Sequence, residues 1–148
     1  MAVKSELALS IWYVSKYSAP PGRGSAGGRG FSLMAELVRR GHSVSILTSD
    51  ANHLVQPPVF DGHCFREDIS GVRIHWLKTL KYFGVKSVRR ILSWLHFEWR
   101  LITMRKSELD VPDVVVVSSL SLLTVLTGVW WKWRYRSALI FEVRDIWP

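Results

Sequence analysis

LALSIWYV (Leu7–Val14), SKYSAPPGRGSAGGRG (Ser15–Gly30) and FSLMAELVRR (Phe31–Arg40) follow one another directly, and their succession decides the fold. The first stretch is rich in β-branched and aromatic residues and nearly continuous in hydrophobicity, as expected of a strand buried on both faces of a parallel sheet. The second breaks that pattern with two prolines and five glycines. In the third, Phe31, Leu33, Met34, Leu37 and Val38 recur at helical spacing, and Gly41 stands where a helix C′ glycine belongs. A short Gly41-His42 turn leads into SVSILT (Ser43–Thr48), a second strand, so the opening reads as one βαβ unit.

Working outward, Asp50 to Gly71 contains Pro57, Pro58 and two glycines and reads as an irregular loop. Val72–Leu77 is a third strand, and Lys86 to about Lys106 a long helix. Asp113–Ser118 (DVVVVS), entered through Pro112, is a fourth strand. Leu120 to about Tyr135 is helical, and Ala138–Val143 (ALIFEV) is a fifth strand. Alternating strands and helices imply an α/β, Rossmann-like parallel sheet with right-handed crossovers and helices on both faces. Ligands in such sheets bind at the carboxyl ends of the strands, near the switch point. The sequence stops at Arg144-Asp145-Ile146-Trp147-Pro148, immediately after a strand, which leads us to expect residues 1–148 to be an incomplete domain.

A length of 148 residues with 48% hydrophobic content supports one core and falls short of two ordinary domains. Cys64 is the single cysteine, so no internal disulfide can form, and no His/Cys cluster has metal-ligand spacing. No metal and no cofactor are expected. Neither a signal peptide nor a membrane span opens the chain, which fits a cytoplasmic location. The net charge of +8 calls for an anionic partner. Eight Lys or Arg residues lie between Lys78 and Lys106 against the single acid Glu98, so the basicity is a patch.

The glycine loop Gly22–Gly30 follows a strand and opens a helix, so its backbone N–H groups could face a phosphate, with Arg23 and Arg29 reinforcing them. Gly22, Gly24 and Gly27 also spell G-x-G-x-x-G, with Asp50 near the position of a ribose-binding acid. The seven residues Ser15–Pro21 stand against a dinucleotide site, which needs a tight turn there. In the long helix, spacing places Val88, Ile91, Leu92, Leu95, Trp99 and Ile102 on a core-facing stripe. Lys86, Arg89, Arg90 and Arg100 lie opposite, with Trp94 and Phe97 among them. That cationic face suits an anionic membrane surface, although an ordinary amphipathic helix packed on a neighbour has the same pattern. WWKWRYR (Trp130–Arg136) repeats the theme, as either a surface for lipid or single-stranded nucleic acid or a buried Trp cluster. No motif for specific nucleic-acid recognition accompanies it. The five histidines form no triad, and His75, alternating with Ile74 and Trp76, reads as structural.

Three segments together resemble the retaining family 4 glycosyltransferases, whose two Rossmann-like domains face each other in the GT-B fold. They are YSAPP (Tyr17–Pro21) leading to Gly27-Gly28, RGHSVSILT (Arg40–Thr48) and RDIWP (Arg144–Pro148), the last similar to that family's Asp-Leu-Trp-Pro segment. The resemblance implies an N-terminal, acceptor-side domain, with the nucleotide-sugar donor held by a C-terminal domain that this sequence lacks. It implies transfer to a lipid-linked or cell-surface glycan acceptor, peripheral to the inner face of the membrane, and no transfer by this chain alone. Asp145 becomes the catalytic candidate, and Gly27, Gly28, Arg29 and Arg144 the substrate-binding ones. Lys86, Arg89, Arg90, Trp94, Phe97 and Arg100 become the membrane contacts. The rival reading is a non-catalytic basic module that binds anionic membrane or nucleic acid.

Overall fold

A computed structural model describes residues 7–81, 88–104, 107, 109–119 and 122–143. Nine elements follow the chain among them: β1 (Ser10–Val14), α1 (Arg29–Arg39), β2 (Ser43–Ser49), β3 (Cys64–Ile69), β4 (Val72–Leu77), α2 (Val88–Thr103), β5 (Val114–Ser119), α3 (Leu122–Tyr135) and β6 (Ala138–Val143). The strands form one sheet in the order β3-β4-β2-β1-β5-β6, parallel throughout except for β3. The α/β, Rossmann-like architecture expected from the sequence is therefore present, with one strand more.

That extra strand lies inside the stretch read as irregular. CFREDI has no hydrophobic alternation and is largely exposed, so periodicity gives it no signal. What makes it a strand is the two-residue turn after it. Ser70 and Gly71 both take positive φ, 52° and 78°, the geometry of a tight hairpin turn. The turn folds β3 back antiparallel on β4, pairing Cys64 with Leu77 and Arg66 with His75. Its charged side chains protect the sheet edge from further pairing.

The central strands bury both faces, which explains their unbroken hydrophobicity. On one face Ile11, Tyr13, Val44, Ile46, Ile74 and Trp76 pack with Phe31 and Met34 of α1. On the other, Trp12, Val14, Leu47, Leu77, Val115 and Val117 meet Phe97 and Leu101 of α2 and Trp131 of α3. Trp131 is wholly buried and stands edge-on to Trp12 at 5.1 Å.

The core-facing side of α2 is the reverse of the expectation. Val88, Ile91, Leu92, Leu95, Trp99 and Ile102 are 43–74% exposed, while Ser93, Phe97, Glu98 and Leu101 are buried. Polar pairing decides this. Glu98 accepts hydrogen bonds from the hydroxyls of Thr124 and Thr127 on α3, Trp94 Nε1 donates to Tyr17, and Arg100 Nε donates to the Lys78 carbonyl. A buried carboxyl group needs partners, and α3 supplies them only to the Glu98 side. The same division splits WWKWRYR, where Trp131 enters the core while Trp130 and Trp133 are 44% and 84% exposed.

Candidate functional site

Parallel pairing puts the carboxyl ends of β1, β2, β4, β5 and β6 along one sheet edge. The order reverses between β1 and β5, which puts the switch point, where sheets of this kind form their ligand crevice, at the ends of those two strands. The glycine loop reaches this edge and ends at Gly28, the residue that caps α1 in extended conformation without a side-chain hydrogen bond. Gly27, at φ 101°, needs glycine for its backbone, whereas Gly28 does not.

Three of the loop's N–H groups are taken. Gly22 donates to the Ser25 carbonyl, Gly27 to Ser25 Oγ and Gly28 to the Ala19 carbonyl at 2.7 Å. Those three glycines are therefore not offered to an anion, whereas the uncapped first turn of α1 is, with its positive dipole end. Arg23 does not reinforce it, because its guanidinium makes a two-pronged pair with Glu67 at 2.7 and 2.9 Å. The pairing raises the pKa of Arg23 and lowers that of Glu67, which also accepts from Trp76 Nε1. Arg29 is exposed, with Nη2 3.9 Å from Glu142 Oε1 at the end of β6. Glu142 Oε2 accepts from the hydroxyl of Tyr13, which lies so close to Gly30 that no Cβ would fit there. Sequence reasoning missed Glu142, although it occupies the carboxyl end of the last strand.

A second polar group stands on the same edge behind β1 and β2. Lys16 is 6% exposed, reaches the Ala51 carbonyl at 3.4 Å and lies over the Tyr17 ring. Burial lowers its pKa to about 8, against the opposing pull of Asp50 and with a further push from Arg90. An amine so placed exchanges its proton near neutral pH. Asp50, the acid at dinucleotide-like spacing, is buried and accepts the Thr79 N–H at 2.8 Å, so it braces the β4 exit. Ser49 and Thr79 share a hydroxyl contact beside it. The signal that could have revealed Lys16 was its place just past the carboxyl end of the first strand.

Among the membrane candidates, Arg89 is exposed and Arg90 half-buried with its guanidinium 4.9 Å from the Trp94 ring. Arg100 is half-buried and anchored on Lys78. Phe97 is corrected: at 1% exposure it belongs to the core, because it lies on the Glu98–Leu101 side of α2. Lys86, Arg144 and Asp145 lie outside the described residues. Among the described residues, no group of His, Cys, Asp and Glu is arranged to hold a metal ion, and no helix is long and apolar enough to cross a membrane.

A parallel Rossmann-like sheet with a switch point between β1 and β5 and a glycine-led helix N-terminus at the same edge defines the class of doubly wound α/β domains. Within that class, the family model described as a glycosyl transferase 4-like domain matches residues 31–148. The chain belongs to this family, as the three segments implied. No curated protein matches the chain.

Proposed function

We propose that the chain forms the acceptor side of a glycosyltransferase that moves a sugar from a nucleotide-sugar donor to a lipid-linked or cell-surface glycan, and that α2 rests on an anionic membrane surface. Membership of the glycosyl transferase 4-like family supports the reaction class. The observation that carries the site is the 3.9 Å approach of Arg29 to Glu142, which brings the uncapped α1 N-terminus and the last strand end into one crevice. In this reading the donor diphosphate meets the first turn of α1, whose dipole favours negative charge. Glu142 stands on the acceptor side, where a carboxylate can accept a hydroxyl's hydrogen bond or its proton, and Asp145, three positions on in sequence, is the second carboxylate assigned to that role.

The test uses a full-length enzyme carrying this domain with its donor domain, assayed for sugar transfer. Glu142→Gln and Asp145→Asn should each lower kcat, and Gly28→Val, at the cap of α1, should raise KM for the donor. Wild-type transfer by all three variants would overturn the site. Transfer by the 148-residue chain alone, well above background, would overturn the need for a second domain.

The membrane part rests on the outward stripe of α2. Six large apolar residues along one helix face, with Arg89 beside them and Trp130 and Trp133 exposed on neighbouring α3, make a surface suited to a bilayer interface. The basic residues add about 1 kcal/mol each near anionic lipid, a contribution that salt screens.

A further inference from the structure

Away from the crevice, a trough of about 500 Å³ lies between the β3–β4 hairpin and the carboxyl-terminal half of α2. It is on the α2 face of the sheet, whereas the glycine loop leads into α1 on the opposite face. Strand register determines its floor, since Cys64, Arg66, His75 and Leu77 share that face through the Cys64–Leu77 and Arg66–His75 pairs. Trp99, Arg100 and Thr103 of α2, with Met104 just beyond it, make the wall.

The trough has two chemistries. Arg66 and Arg100 bring guanidinium groups, and His63 stands among the lining residues. His75 is 1% exposed, and its Nε2 is buried with no hydrogen-bond partner among the described residues. An orphaned buried ring nitrogen is costly, and because the atom lies beneath the trough surface a ligand would satisfy it once the ring turns outward. After burial, Arg66 and Arg73 hold the His75 pKa down to about 4 against the opposing pull of Asp68, whose Oδ1 lies 3.7 Å from Arg66 Nη2, so cations outnumber the one carboxylate beside the ring. The remaining lining, Leu77, Trp99 and Met104, is apolar, and Trp99 continues directly into the exposed stripe of α2. Charge at one end and an apolar path to the outer surface at the other suit an anion on a hydrocarbon chain.

We propose that this trough binds the phosphate head of an amphiphile, with Arg66 and Arg100 on the phosphate, His75 Nε2 hydrogen-bonded to it, and the chain lying over Trp99 and Met104. The phosphate is distinct from any donor diphosphate, and the site does not depend on sugar transfer.

Calorimetric titration of the purified 148-residue chain with lysophosphatidate below its micelle concentration tests this, beside the uncharged monoacylglycerol and inorganic pyrophosphate. Saturable one-to-one binding of lysophosphatidate is expected, with pyrophosphate at least tenfold weaker and no binding of monoacylglycerol. Arg66→Glu, on an exposed edge strand, should weaken binding at least tenfold. Thr103→Trp fills the trough and leaves both arginines in place, so it should do the same with an unchanged thermal melt. Absence of saturable binding, or equal binding by wild type and both variants, would overturn the proposal. Pyrophosphate binding as tight as lysophosphatidate would make it a site for free anions and overturn the amphiphile.

Discussion

The indole Nε1 of Trp94 donates a hydrogen bond to the Tyr17 hydroxyl at 3.2 Å, tying α2 to the segment that leaves β1. The crossover helix is thereby fastened over the carboxyl edge where Lys16, Tyr17 and Asp50 collect. A neutral, partly buried hydrogen bond of this kind contributes about 1 kcal/mol. Trp94→Phe and Tyr17→Phe should each lower the melting temperature by several degrees. The double variant should cost less than their sum, and strict additivity in a urea denaturation cycle would show that the bond does not form.

Phe97 and Trp99 are two positions apart and should behave oppositely. Phe97→Ala removes a buried ring and should destabilise the chain by about 3–5 kcal/mol. Trp99→Ser should leave the melt nearly unchanged and weaken sedimentation with anionic vesicles, as should Arg89→Glu. Undiminished vesicle binding by Trp99→Ser/Arg89→Glu would remove α2 from the membrane proposal.

Glu98 is buried, and that burial raises its pKa above the ordinary value despite the hydroxyls of Thr124 and Thr127. A folded-state pKa above the unfolded one means that the folded chain holds the proton more tightly. The contribution is full below the ordinary carboxyl value and is lost as pH rises through the folded value. Glu98→Gln keeps a partner for each threonine without the charge, so it should flatten the stability profile across that window and be the more stable form at pH 7. Parallel profiles in urea titrations would contradict the burial of a charge at this position.

Lys16 has the opposite sign. Its pKa of about 8 means that the folded chain gives up the proton more readily than the unfolded one, which titrates near 10.5. The penalty is full below pH 8 and is relieved as pH climbs toward 10.5. At about 1.4 kcal/mol per unit, Lys16→Met should gain on the order of 3 kcal/mol at pH 7 and erase the difference at high pH. No gain at pH 7 would show that the ammonium is better paired than its burial implies.

Gly30→Ala should displace Tyr13 from Glu142, because the added Cβ overlaps the Tyr13 ring, at a cost of about 1–3 kcal/mol. Gly28→Ala is the control, since its Cβ meets Ala19 at an ordinary 3.5 Å and its φ of −86° suits any residue. Equal stability of the two variants would mean that Tyr13 does not occupy that position.

The sequence by itself determined the α/β class, five of the six strands and the three helices found among the described residues, and the glycine-led helix start. Each depends on local periodicity or on a residue with a single conformational use, and both are written in consecutive positions. It also carried the family, through segments spread from Tyr17 to Pro148. Tertiary structure alone decided which side of α2 faces inward: the helical moment favoured the Val88–Ile102 stripe, and the Glu98 contacts with Thr124 and Thr127 overrode it. Those partners are 26 and 29 positions away. β3 was hidden for a related reason, since an exposed edge strand has no buried face to impress on its sequence and is held by a turn and its neighbour's hydrogen bonds. Arg29 meeting Glu142, Arg23 lost to Glu67 and Lys16 buried beside Asp50 are likewise products of packing. Charge and hydrogen-bonding partners separated along the chain are chosen only when the sheet brings its strand ends together.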